Sequence, residues 1–538
     1  MYSMRRSVFA RAVGSALVVG LAVSGCAGGD DTADAQRSAQ PSQTFADEPP
    51  PLVPAMALPE NAVENAVAKL DGIAEDLMRS SGIPGMAVAV VHGGKTVYAK
   101  GFGVRDVRNG DVESNRVDPD TVFQLASLSK PIAATVVAHQ VGTGAIGWDT
   151  PVVEHLPWFA LSDPVTTRMV TVGDLFAHRS GLPDHAGDQL EDLGYDRRYI
   201  LEHLRALPLD PFRNSYAYTN FGLTAAAEAV AAAAGRSWED LARDVLYRPL
   251  GMDSTSSRFA DYEATQNRAV GHIRVDGRYE PQYVRNADAQ TPAGGVSASV
   301  DDMTRWLAMV LGDGVFEGER IVEESTLLPA ITPQVVSDRA SQPAMRSGFY
   351  GYGFNVGTTS AARTQLSHSG AFELGAATNF VILPSADVGI VALTNGTPAG
   401  IPETLTAEFA DLVQFGEVRQ DWRKLYADAF ASMDGPEGEL VGKKPPAVPA
   451  PARPLPDYVG VYRNDYWGPA TVTEQDGALQ LALGPKFKAR LTHWDGDVFT
   501  FRFVSENAPP GTISKATFAG DKLTLEYFDE DGTGTFTR

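Results

Sequence analysis

One cysteine, Cys26, occurs in 538 residues. Disulfides within the chain are excluded, so stability must come from packing. Nine histidines include no His-Glu-x-x-His pair and have no cysteine partner, so no catalytic metal site is read and no cofactor is expected. Positive charge is scarce. Lys and Arg number 45 against 67 Asp and Glu, a formal net charge of −22. Nucleic acid is a poor partner for such a chain, because phosphate backbones need a basic face. No Gly-x-Ser-x-Gly elbow occurs, which argues against an α/β-hydrolase. Gly294-Gly295 is followed by neither a Walker lysine nor a Gly-x-Gly-x-x-Gly pattern, and reads as a tight backbone segment.

What is present begins with a targeting segment. "MYSMRRSVFAR" carries Arg5, Arg6 and Arg11, and the apolar run Ala12–Val23 is too short for a span of about 20 residues. "VSGC" ends at Cys26, and small residues before a cysteine resemble the lipobox of bacterial lipoproteins. The reading is a signal peptide over 1–25 and a lipid anchor at Cys26. The protein would be exported and membrane-tethered in a bacterial cell envelope, facing the periplasm or the exterior. Loss of the three arginines would take the charge from −22 to −25. Residues 26–60, rich in Pro, Asp, Ser and Ala, read as a disordered tether.

Apolar residues at Val63, Val67, Leu70, Ile73 and Leu77 have the spacing of an amphipathic helix. "GMAVAVVHGGKTVYAKGFG" reads as two strands around a turn at His92–Lys95. No comparable strand pair is read from about 131 to 340, where Gly222–Gly235 is an Ala-rich helix closed by Gly235. Strand patterns return at 351–357, 377–385 and 388–395, before a helix at about 402–415. Strands at both ends with helices between predict an α/β (α+β) domain over 61–415. It would be a mostly antiparallel sheet with a helical lobe and a cleft between them. A connecting helix and a Pro-rich linker fill 416–455. Residues 456–538 alternate Leu479, Leu481, Leu483, then Phe499, Phe501, Phe503, then Leu523, Leu525, Tyr527, with Asp-Gly turns between. That predicts a small all-β barrel or sandwich, in which no catalytic constellation is read.

"FQLASLSKPIAATVV" carries the chemistry. Pro131 has no N–H, so the helix must begin close before it, and Ser127 falls at or near its start. Residues three apart share a helix face, so Ser127 and Lys130 point the same way and Ser129 does not. The positive end of the helix dipole favours a developing oxyanion. Ser-x-x-Lys alone is short and fits any solvated helix start. Two further pieces follow in order: "YAYTNFG", with Tyr218-x-Asn220, and "LSHSGAF", with His368-x-Gly370. "FAHRSGLP" looks catalytic, but Gly181 reads as a helix C-cap with His178 in the last turn.

In these pieces, and in "TVGDLFAHRSGLP", "YRPLGMDSTSS" and "PAGGVSASVDDMTRWLAMVL", the chain resembles serine hydrolases related to class C β-lactamases and penicillin-recognising peptidases. Family VIII carboxylesterases, D-aminopeptidases and DD-peptidases belong to that group. The resemblance covers about 61–415 and implies a β-lactamase/transpeptidase-like fold. The tail from 456 is similar to a lipocalin-like β domain. By this resemblance Ser127 is the acylated nucleophile, Lys130 its partner and Tyr218 a second basic group. Asn220 holds the substrate's amide, and His368 stands where many relatives have a lysine. Gly370 clears the strand edge, and the backbone N–H groups of Ser127 and Ala371 form the oxyanion hole.

Serine is a poor nucleophile until a neighbour takes its proton. Lys130 must lose its charge to do so, which requires a drop of roughly 3 pKa units from about 10.4. Either Lys130 or Tyr218 can fill that role on the sequence alone. A histidine at 368 is mostly neutral at pH 7 and supplies no permanent charge for a substrate carboxylate. The expected activity is hydrolysis of an ester or amide in a small molecule or peptide through acyl-Ser127, with ester or D-peptide favoured over an efficient β-lactamase. The alternative is a catalytically silent envelope protein that binds a ligand or partner.

Overall fold

The computed structural model describes residues 48–431 and 435–538; the segment 1–25, Cys26 and the tether up to residue 47 lie outside the described residues. The first domain is built on an eight-stranded antiparallel sheet. Its strand order is Lys95–Gly103, Gly85–His92, Val388–Thr394, Ala376–Leu383, Thr364–Phe372, Asn355–Thr358, Gly348–Tyr350, Val335–Asp338. Strands from the two ends of the domain therefore meet at its centre, where Ala89 pairs with Val391.

The strand Gly85–His92 is apolar on both faces because both are covered. Met86, Val88 and Val90 share a core with Leu70 and Leu77 of the helix Leu70–Ser81 and with Leu405 and Phe409 of the helix Ile401–Phe415. Ala87, Ala89 and Val91 belong to the opposite core, with Trp306 and Leu307 of the helix Val300–Leu311. A strand buried on two sides shows a continuous apolar run rather than alternation. The first helical pattern divides into Ala62–Val67 and Leu70–Ser81.

Between the terminal strands stands the helical lobe. Its two central helices are Ser129–Gly142 and Asn220–Ala233, both almost wholly buried. Ala225, Ala226, Ala227 and Ala229 have no exposure, and their small side chains let the second helix lie inside the lobe. Gly235 follows it at φ 64°, beyond the last turn. The middle region is not without strands, though they are much shorter than the first hairpin. Ile273–Val275 pairs with Arg278–Glu280, and Val315–Phe316 with Glu319–Arg320. Strands of two or three residues are too short to show a period.

The last domain is an eight-stranded antiparallel barrel with its strands in chain order, from Gly460–Tyr462 to Thr535–Thr537. A bridge between Arg463 and Thr537 joins its first and last strands. Leu479, Leu481, Leu483, Phe499, Phe501, Leu523 and Leu525 fill the interior, as their alternation predicts. The barrel docks on residues 187–195 of the lobe. The Tyr195 hydroxyl donates to Trp467 O (2.9 Å), Lys486 N–H donates to Leu193 O (3.0 Å), and Asp192 accepts from Ser505 Oγ and Asn507 Nδ2.

Candidate active site

The turn that carries Ser127 is held from two sides. Phe123–Gln124 pairs with Ser297–Ala298, and Leu125 N–H donates to Val296 O at 2.8 Å. Ala126 then enters the left-handed region, φ 48°, which costs a residue with a Cβ about 1 kcal/mol or more. A 3-10 turn, Ala126–Leu128, leads into the helix Ser129–Gly142. Ser127 thus stands just ahead of the helix rather than at its first residue. Between Leu125 and Ala138 it is the one residue not buried. Ser129 is fully buried, donates to Ala126 O (2.7 Å) and accepts from Val296 N–H (3.0 Å). It locks the turn and does not face the cleft.

Lys130 is fully buried. Its Nζ lies 3.0 Å from Ser127 Oγ, 2.7 Å from Asn220 Oδ1 and 2.9 Å from Ala293 O. Burial pushes its ammonium down to about 7, against the opposing pull of Asp188. A neutral amine has two hydrogens and one lone pair. Asn220 Oδ1 and Ala293 O accept the two hydrogens, which leaves the lone pair for the Ser127 hydroxyl. Asn220 is also held at its other end, where Nδ2 donates to Asp188 Oδ2 at 2.8 Å.

Tyr218 lies with its ring 4.5 Å from Lys130 Nζ. Burial raises its phenol strongly, and Asp188 and Asp184 add to the rise. The Ser127 hydroxyl is near enough to favour the phenolate, yet among the described residues no group meets Tyr218 Oη at hydrogen-bonding geometry. His368 is 4% exposed and takes a single neutral tautomer. Its Nδ1–H donates to Ser369 O (2.7 Å), and the Tyr350 hydroxyl donates to its Nε2 (2.9 Å). Burial, then the charge on Lys130, push it down to about 3. Gly370 packs on the Ser127 turn, where a Cβ would meet Leu125 O at 2.3 Å and Ser127 N at 3.0 Å. Ala371 follows on the same strand, and is half-buried.

Three features escape sequence reading. Gly181 is not the helix cap: the helix Val172–Phe176 ends at Ala177, and His178 lies beyond it at φ 55°. His178 is buried against Tyr218 (4.6 Å between ring centroids) and accepts from Thr219 N–H at Nδ1 (3.2 Å). The second is the turn 184–188. Asp184 Oδ1 accepts from Tyr218 N–H (2.8 Å), and His185 Nδ1 lies 2.7 Å from Asp188 Oδ2. The third is the barrel loop at 503–512, longer than the two-residue turns around it. Its Glu506 accepts from Glu373 N–H (2.9 Å), two residues past Ala371. A groove of about 790 Å³ lies beside that contact, lined by Glu191, Arg285, Leu374 and Glu506 among others but not by Ser127, Lys130 or Tyr218. No signal in a lone Asp or Glu marks such long-range contacts.

An antiparallel sheet with an inserted helical lobe, a Ser-x-x-Lys pair at a buried helix start and a glycine strand edge against it define the β-lactamase/transpeptidase-like class. The chain belongs to the beta-lactamase family, which it matches over residues 70–414, and residues 444–535 match a domain of unknown function, DUF3471. It is similar to the unguisins hydrolase ungD' of Aspergillus campestris, 28% identical over 408 residues, 72% of this chain and 73% of that one. It is also similar to penicillin-binding protein 4 of Amycolatopsis lactamdurans, 28% identical over 394 residues, 71% of this chain and 93% of that one. Among solved structures, the octameric penicillin-binding protein homologue from Pyrococcus abyssi superposes with a TM-score of 0.57 at 20% identity, covering 86% of this chain and 98% of that one. That likeness is one of fold.

Proposed function

We propose that this chain is an exported serine hydrolase that cleaves an ester or amide through an acyl-Ser127 intermediate. The observation that carries the reading is the buried Lys130 amine 3.0 Å from Ser127 Oγ, with its two other contacts on the acceptors Asn220 Oδ1 and Ala293 O. Lys130 takes the hydroxyl proton as Oγ attacks the carbonyl carbon. The oxyanion forms at the N–H groups of Ser127 and Ala371, the carbonyl re-forms, and the leaving group departs with a proton from the Lys130 ammonium. Water then repeats the sequence on the acyl-enzyme, which releases the acid and restores Ser127. Of the two candidate bases, Lys130 is the acceptor, because burial pushes lysine toward its neutral, basic form and tyrosine toward its neutral, acidic form. Tyr218 is left protonated beside the pair, and its proton stays in place through the cycle.

Substrate preference follows from His368. A neutral imidazole engaged by Tyr350 and Ser369 offers no cation to a substrate carboxylate. Esters and peptide amides, including D-peptides, are favoured over β-lactams. Export and the anchor rest on residues 1–26 alone. The test is covalent labelling by a fluorophosphonate, followed by p-nitrophenyl butyrate, a D-Ala-D-Ala peptide and nitrocefin as substrates. Mass gain on wild type that Ser127→Ala abolishes supports the enzyme; no gain on either assigns the chain a silent binding role.

A further inference from the structure

The proposed base is the middle of a longer chain of contacts. From Ser127 Oγ the path runs to Lys130 Nζ (3.0 Å), Asn220 Oδ1 (2.7 Å), then from Asn220 Nδ2 to Asp188 Oδ2 (2.8 Å) and on to His185 Nδ1 (2.7 Å). Every link is at hydrogen-bonding distance. Asp188 is 3% exposed, and its Oδ1 is buried with no partner. Asn220 is thereby fixed in one orientation. Its NH2 is drawn to the carboxylate, so its carbonyl must face the amine.

The turn that bears Asp188 is held from outside the catalytic domain. Gly187, adjacent to Asp188, has φ 96°, and a Cβ there would meet Phe221 at 2.8 Å. Its N–H donates to the hydroxyl of Tyr466, a buried residue of the C-terminal barrel, at 3.0 Å. The hydroxyl is the only polar group of that side chain, and Trp467 beside it packs edge-on at 4.6 Å between ring centroids.

We propose that Asp188 is a positioning residue for Lys130, acting through Asn220, and that the barrel holds it in place through the Tyr466–Gly187 hydrogen bond. This gives the domain of unknown function a role: it buttresses the proton-transfer machinery of its neighbour. The assignment deepens the hydrolase reading and rests on it for its kinetic consequence. The charged and titratable groups around the path are Asp184 and His185 on the same turn, His178, Tyr218 and His368 from three other segments, and Glu191 on the helix Asp188–Asp192. Glu530 of the barrel faces Asp184. Among these, Asp188 is the group whose charge opposes the loss of the Lys130 proton.

The experiment measures Lys130 twice in the full-length protein. One measurement is the pH dependence of Ser127 labelling by a fluorophosphonate. The other is the pH titration of the Lys130 ε-carbon by NMR, assigned by its loss in Lys130→Arg. Asp188→Asn keeps the shape and removes the charge. Both midpoints should fall, by about one pH unit, as loss of a neighbouring opposite charge requires. Tyr466→Phe removes only the acceptor for Gly187 N–H and should lower both midpoints by less. A midpoint unchanged in Asp188→Asn overturns the positioning role, and one unchanged in Tyr466→Phe overturns the role of the barrel. If Asp188→Asn does not fold, the Tyr466→Phe titration decides alone. A shifted NMR midpoint in a protein whose Ser127 is never labelled upholds the positioning role and refutes the hydrolase reading instead.

Discussion

Lys130 Nζ and Ser127 Oγ stand 3.0 Å apart, on consecutive turns of one buried segment. The distance alone does not decide the direction of proton transfer. On the proposed reading burial does, by lowering the ammonium to about 7. Ester hydrolysis should therefore rise as pH increases through about 7, as Lys130 loses its proton, and level off above. A rate profile from pH 5 to 9 checks this. Lys130→Arg, charged throughout, should lose about 10²- to 10⁴-fold in kcat on the plateau above pH 7, less below it, and should show no rise through pH 7.

The two serines of the opening turn should separate cleanly. Ser127→Ala should abolish covalent labelling and leave the fold intact, since it is the one residue of its turn that is not buried. Ser129→Ala should keep the labelling site but lose about 1–3 kcal/mol in urea unfolding, because buried Val296 N–H loses its acceptor.

Gly370→Ala places a Cβ 2.3 Å from both Leu125 O and Thr378 Oγ1. Either the strand edge or the Ser127 turn must move. A stability loss of about 1–3 kcal/mol is expected, with labelling of Ser127 slowed more than the melting temperature alone explains.

His368 is held neutral down to about 3, while an unfolded histidine binds a proton near 6.5. Between those values the unfolded state carries the extra proton, so stability falls as pH falls. Above about 6.5 the group has no effect. His368→Gln removes this dependence, so from pH 6 to pH 4 wild type should lose up to about 1.4 kcal/mol per pH unit more than the variant. Chemical denaturation at several pH values reads the difference.

Cys26 lies outside the described residues, and its proposed lipid anchor rests on sequence. Cys26→Ser should move the protein from the membrane to the soluble fraction. Unchanged fractionation would leave a plain secretory signal as the better reading of residues 1–26.

Local rules carried much of the site. Helix spacing paired Ser127 with Lys130 because both lie on one short segment, where three residues correspond to nearly one turn. Alternation placed the barrel strands, since each has one buried face. Apolar runs marked strands at 85–92 and 388–394, some 300 residues apart in the chain, while the burial of both their faces shows only in the packing.

Tertiary structure alone decided the rest. Asp188, His178 and Tyr466 have no local pattern, because each acts on a partner distant in sequence. The left-handed Ala126 is hidden for a similar reason: its conformation is imposed by the strand pair before it and by Ser129 after it, not by its own side chain. The choice between Lys130 and Tyr218 as base also needed the fold. The amino acids set their ordinary proton affinities, but only burial, and the charges it brings near, moved one down toward neutrality and the other up.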